Sequence, residues 1–160
     1  MSIQLDFENR TERKTPDPSL FNLWVHKALS KLYTEAELSI CIVDKDEMVG
    51  LNHQYRGYEK PTNVLSFPAD IPPEIGLNLL GDIVICAEVI EQEASQQGKP
   101  LEAHYAHMAV HGALHLAGFD HIEINEAEEM EALEKSILTG LGYPNPYADD
   151  EHKPIWGLLT

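Results

Sequence analysis

Apolar and polar positions change period along the chain, and each change marks an element. In "SIQLDFE" (2–8), Ile3, Leu5 and Phe7 alternate with polar residues, which predicts a half-buried strand. "DPSLFNLWVHKALSKLY" (17–33) switches to helical spacing, with Leu20, Trp24, Ala28 and Leu32 on one face. Asp17 is placed to cap that helix and Pro18 suits its first turn. "LSICIV" is almost continuously apolar and predicts a buried strand. "DKDEMVGLNHQYR" follows as a short helix: Asp44 and Glu47 have capping-box spacing, and Met48, Leu51 and Tyr55 are expected to face the core.

"NVLSF" predicts a strand near a sheet edge, because Pro68 follows at once and lacks a backbone donor. "PADIPPEIGLN" is a Pro-rich loop with the length to cover a cleft. "GDIVIC" is another buried strand, and "AEVIEQEASQQG" an amphipathic helix ended by Gly98. Pro100 opens "LEAHYAHMAVHGALHLAG", which is apolar on nearly every side and so belongs at the centre; Gly118 ends it. "NEAEEMEALEKSILTGLG" is a last helix with Asn125 and Glu128 as cap and partner, its acidic run reading as a solvated face. The tail "YPNPYADDEHKPIWGLLT" shows no periodicity. Strands separated by helices, then two helices in succession, predict an α/β (α+β) domain, a small mixed sheet with helices packed on it.

Composition narrows this. At 160 residues, 43% hydrophobic and 24% charged, residues 1–160 suit one globular domain. No apolar run approaches the roughly 18 residues of a membrane span. "MSIQLDFENR" has no basic segment followed by an apolar one, so no secretory signal is expected. Cys41 and Cys86 sit in strand-like runs and read as reduced core residues of a cytoplasmic protein. The net charge of −16 is uneven: residues 1–60 carry eight Lys/Arg against ten Asp/Glu, and residues 61–160 three against seventeen. A general nucleic-acid coat would be basic, so a polyanion must use a local positive site, best sought in the N-terminal part.

"HGALHLAGFDH" (111–121) holds the candidate chemistry. His111 and His115, four apart, share a helix face. The turn at Gly118 can swing His121 back toward them. Three imidazoles make three corners of a tetrahedron with the fourth left for water, the pattern of a catalytic zinc site. His104 and His107 extend the stripe but lie further from the turn; His107 suits packing or a place behind the ligands, and any of the four could be a partly buried histidine bonded to neighbouring backbone or carboxylates. Asp120 is placed to orient a ligand imidazole or simply to form the turn. The spacing H-x3-H-x5-H also occurs in metzincin peptidases, whose second position is a glutamate base. Here it is Gly112, which disfavours a peptidase while keeping the cage. A zinc-bound water has a pKa near about 7, so hydroxide would be available at neutral pH. Arg56 and Lys60, beside the turn in "NHQYRGYEKPTNVLSFP", are candidates to meet phosphate, although an arginine also suits a helix end.

"HGALHLAGFDH", with "YRGYEKPTNVLSFP" and "GDIVI" upstream, strongly resembles the bacterial YbeY family of rRNA maturation endoribonucleases, from about the "LSICIV" strand to the final helix. The resemblance implies a small α/β domain with a four-stranded mixed sheet. It implies a zinc-dependent endoribonuclease specific for single-stranded RNA, acting in 3′-end maturation of small-subunit rRNA and in ribosome quality control. Ribosomal proteins or assembly factors would be partners. By position, the family's metal ligands fall on His111, His115 and His121, and its activity-linked arginine on Arg56. Asn63 stands where members often have aspartate, and Phe119 where they often have tyrosine; neither is a ligand. The competing class is a non-enzymatic ribosome-assembly factor whose metal is structural, which the acidic charge favours through docking to a basic protein.

Overall fold

The computed structural model describes residues 2–69, 78–119 and 124–147. Four strands form one sheet: β1 (Ser2–Asn9), β2 (Glu35–Val43), β3 (Val64–Pro68) and β4 (Leu79–Cys86), in spatial order β1-β2-β4-β3. β1–β2 and β2–β4 are parallel, and β3 runs antiparallel to β4 at the edge. The sheet is therefore mixed, and the proline-bounded strand lies where a missing donor does least harm.

Period-2 alternation sorts the sheet's faces. Leu38, Ile40 and Ile42 pair with Leu5, Phe7 and Asn9 on one side, and Ile40 and Ile42 with Ile83 and Ile85 on the other. Those isoleucines are buried under α1 (Pro18–Leu29) and α4 (Leu101–Leu116). The opposite face has a smaller cluster of Val43, Met48, Leu65, Val84 and Cys86, to which α2 (Lys45–Arg56) contributes Met48. Beyond it lies an open groove of about 670 Å³ whose lining includes Asp6, Glu8, Ser39, Cys41 and Asp82. α3 (Ala87–Gln97) and α5 (Ile124–Gly140) complete the layers. Both cysteines are free, Cys86 buried and Cys41 half-buried.

α4 is central, as its composition predicts: His104 to Leu114 are all buried. It packs tightly on the sheet at Gly112, where a Cβ would stand 2.9 Å from Ile83 Cγ2. Gly112 is thus a packing requirement as well as a missing glutamate. The Ser66 hydroxyl of β3 reaches the Gly112 carbonyl at 3.4 Å, and Gly118, at φ 104°, turns the chain after α4.

Some expectations give way to competing contacts. Asp17 and Pro18 start α1 as read, but the helix ends at Leu29, and the Leu32 and Tyr33 amides both turn back to the Leu29 carbonyl. This packs Tyr33 on the core and leaves Leu32 46% exposed. Asp44 occupies the cap position of α2 without a side-chain cap bond. Its intended partner Glu47 is held by Arg10 at 2.5 Å, while Glu88 accepts from the Lys45 amide at 3.0 Å. Tyr55 is 59% exposed instead of core-facing, standing edge-on to Phe67 at the rim of the groove. α5 already includes Ile124, so Asn125 lies in its first turn and not ahead of it. The Pro-rich loop falls mostly outside the described residues.

Candidate active site

α4 presents three buried histidines and one half-buried one, and carboxylates from neighbouring helices meet three of them. Glu134 of α5 is 1% exposed and spans two of the rings. His107 Nε2–H donates to its Oε1 at 2.8 Å, and His111 Nδ1–H to its Oε2 at 2.9 Å. The Tyr147 hydroxyl donates to Oε1 as well and lies 3.1 Å from His107 Nε2. Burial alone would push the Glu134 carboxyl up. The neighbouring His111, with hydrogen bonds from His107 and His111, instead holds it well below the usual carboxylate range. Burial pushes His107 down, so that pair is an ionised carboxylate and a neutral imidazole.

A carboxylate only accepts, so the proton of His111 sits on Nδ1 and the lone pair on Nε2. This is the tautomer a metal ligand needs, and the carboxylate behind it fixes the ring and raises its basicity. His115, one turn on, has its ring centroid 6.1 Å from that of His111, as expected of neighbours on one helix face. Among the described residues no three His, Cys, Asp or Glu side chains gather to hold a metal. His121, the third predicted ligand, and Asp120 lie outside the described residues. The donor set that is described fits a divalent cation of zinc's kind: paired imidazoles, one of them steered by a buried anion.

Glu131, one turn before Glu134, adds an acid–base group. Burial pushes its carboxyl up to about 7, helped by the carboxylates of Glu134 and Glu128. Its Oε2 is buried without a hydrogen-bond partner among the described residues. The acidic run of α5 is therefore not wholly a solvated face. The pattern was available in the sequence: Ala127, Met130, Glu134 and Leu138 are spaced three, four and four apart, a carboxylate on an apolar stripe. Asp82, by contrast, alternates away from the buried Ile83 and faces the open groove, accepting from Ser39 at 2.5 Å. The sheet thus separates it from α4.

Arg56 stands at the exposed end of α2, where Gly57, at φ 77°, turns the chain. It lines a separate cleft of about 310 Å³ with Asn52, Tyr58, Lys60, Asn63 and Glu93. That cleft meets α4 through Glu93, which accepts from His104 Nε2–H at 2.9 Å and from Asn63 Nδ2 at 3.2 Å. His104 lies two helical turns before His111, about 10 Å along the axis. The structure thus places Arg56 in a cleft that reaches α4 at His104, separate from the His111–His115 pair.

The fold and this centre define an α/β protein with a histidine–carboxylate site on its buried helix. Residues 6–142 match the family described as "Endoribonuclease YbeY". The chain is 51% identical over 154 residues to "Endoribonuclease YbeY" of Pseudomonas putida (strain W619), covering 96% of this chain and 98% of that one. It is 52% identical to the protein of the same name from Pseudomonas entomophila (strain L48), with the same coverage. The solution structure of TM1509 from Thermotoga maritima superposes with a TM-score of 0.62 at 25% identity, covering 94% of this chain and 99% of that one. The chain belongs to the endoribonuclease YbeY family. Among the described residues no helix is long and apolar enough to cross a membrane.

Proposed function

We propose that this protein is a cytoplasmic, zinc-dependent endoribonuclease that cuts single-stranded RNA. Its substrate is the 3′ region of small-subunit rRNA, reached in company with ribosomal proteins or assembly factors. Family membership supports the RNA-cleaving activity. The observation that carries the metal reading is the buried Glu134 fixing the tautomer of His111.

In this reading His111, His115 and His121 hold one Zn²⁺ per chain. When bound, the ion supplies a Lewis acid for the phosphodiester and activates water near neutral pH. The protein's own groups do the rest. Glu134 holds the His111 proton on Nδ1 and so its lone pair on Nε2, with His107 and Tyr147 bracing the carboxylate. Glu131, with its pKa matched to the working pH, is the group suited to carry a proton. Arg56 holds a backbone phosphate through its planar fork.

Elemental analysis paired with cleavage of single- and double-stranded RNA tests this. The purified protein should carry zinc and cut single strands preferentially. His111→Ala should lose both metal and cleavage while staying folded, and Arg56→Ala should lose cleavage with zinc intact. Full cleavage by the metal-stripped protein would remove zinc from the reading. Chelation that unfolds the chain and leaves no cleavage to lose would favour the assembly factor with a structural metal.

A further inference from the structure

Arg56 keeps its charge uncompensated in a strongly acidic molecule. Of the chain's three arginines, Arg10 is held by Glu8 and Glu47, and Arg13 by Glu88 and Glu91. Arg56 and Lys60 pair with no carboxylate among the described residues, although the chain carries a net charge of −16. Glu59, next to Lys60 in the chain, lies 3.4 Å from His53 Nε2. Glu93 is the one acid among the described residues lining the cleft of about 310 Å³ that Arg56 and Lys60 share, yet it pairs with neither. Opposite charges in so small a space attract, so something must hold Glu93 back.

Two donors do so. His104 Nε2–H donates to Glu93 Oε1 at 2.9 Å, and Asn63 Nδ2 donates to Oε1 at 3.2 Å and to Oε2 at 3.5 Å. His104 is buried in α4, and its Nδ1 has no hydrogen-bond partner among the described residues. The bond to Glu93 is therefore the ring's one polar contact there, and an apolar side chain of similar size would fill the same space. Burying a polar ring costs free energy unless its bonds offset it, so the hold on Glu93 is what histidine adds at this position. The Glu93 side chain is 29% exposed, which gives the carboxylate room to swing into the cleft once released.

We propose that His104 is a positioning residue that latches Glu93 away from Arg56 and Lys60, with Asn63 as the second tether, and so stops the protein's own carboxylate from occupying the place of a substrate phosphate. This rests on the phosphate-holding role given to Arg56 and adds a reason for a buried histidine that lies two turns from the metal ligands. The latch acts on binding and not on the reacting bond. Released, Glu93 would compete with RNA for the two cations as an internal anion.

The test is a rescue. A fluorescein-labelled 2′-O-methyl oligonucleotide, which resists cleavage, is titrated against the zinc-loaded protein and its variants, and ordinary RNA of the same sequence is cleaved in parallel. His104→Leu should weaken binding about fivefold, the scale of one exposed charge pair. It should also lower the log–log salt slope by about 0.7, the share of one phosphate contact on a single strand. In cleavage it should raise KM and leave kcat and zinc content at the parent's values. His104→Gln, which keeps an N–H donor, should bind like the parent. Glu93→Gln, which has no charge to release, should bind at least as well as the parent, and adding it to His104→Leu should restore binding. Asn63→Ala carries the same test should His104→Leu not fold: weaker binding alone, restored by Glu93→Gln. Binding that stays weak in the double variants overturns the latch, because the network is then a scaffold. So does Glu93→Gln alone binding as weakly as His104→Leu, or His104→Leu binding like the parent while Arg56→Ala binds poorly. Unchanged binding in Arg56→Ala removes the phosphate role of Arg56 and the latch with it. A parent that binds the oligonucleotide and cuts no RNA sinks the nuclease reading alone.

Discussion

A single side chain, Glu134, turns a helix of buried histidines into a directed site. Its two oxygens take donors from His107 and His111, so neither ring is free to flip its tautomer without losing a buried bond. Glu134→Gln keeps the volume but replaces one acceptor by a donor, which must oppose an imidazole N–H. We expect zinc affinity to fall by about 10–100-fold, the usual effect of removing the group behind a ligand imidazole. Competition against a chromophoric chelator reads this directly, and circular dichroism shows whether the fold survives. Affinity equal to the parent's would mean that His111 is not a ligand or that Glu134 does not orient it. That His111 and His115 share one helix face was legible because i,i+4 spacing fixes direction locally. Glu134 was hidden inside an acidic run, where only its place on the apolar stripe of Met130 and Leu138 set it apart. Tyr147 had no local signal at all, since its bond to Glu134 depends on where the chain goes after α5.

Elements follow the sequence where local physics acts alone and depart from it where distant groups compete. Asp17 caps α1 through the Ser19 amide at 2.9 Å, with no competing partner among the described residues. Asp44 makes no such bond; its capping-box partner Glu47 is taken by Arg10, far away in sequence, and Glu88 accepts from the first amide of α2. The close seat of α4 on β4 is another product of packing that a list of motifs cannot display. Gly112→Ala gains helix propensity of up to about 1 kcal/mol but forces a Cβ to 2.9 Å from a fully buried Ile83. Overpacking of that kind costs about 1–3 kcal/mol, so the balance should be a loss of stability. Denaturant titration should show a lower midpoint for Gly112→Ala. Pairing it with Ile83→Ala should cost less than the sum of the two single changes, because the smaller residue makes the room that the new Cβ needs. Strict additivity would show that α4 shifts freely and that Gly112 is not a contact point.

At the scale of the whole molecule, the mixed order of the sheet and its helix-covered face were legible as a class, from strands separated by helices. The groove on the other face was not, because a strand's pattern tells which side is polar but not what covers it. Charge is where the parts act together, and it yields a pH response. The folded state raises Glu131 from 4.5 to about 7, so it favours the protonated form. That contribution is full below about 4.5 and is lost as pH rises through 7. His107 works the other way: its folded pKa is depressed below 6.5, so its contribution becomes full well above 6.5 and fades in acid. Glu134, also depressed, loses its contribution only as pH falls below the ordinary carboxylate range. Between about pH 6.5 and about pH 8 Glu134 is constant, His107 gains only the last part of its contribution, and the larger change is the loss from Glu131. The metal-free protein should therefore melt at a lower temperature at the upper end of that interval. Glu131→Gln, which has no proton to lose, should flatten the difference. Zinc should oppose the decline, since a cation beside His111 favours the ionised Glu131 and neutral histidine ligands bind it better as pH rises. Melting curves across the interval, with and without zinc, separate the two effects: a metal-free slope that persists in Glu131→Gln would assign the response to some other group.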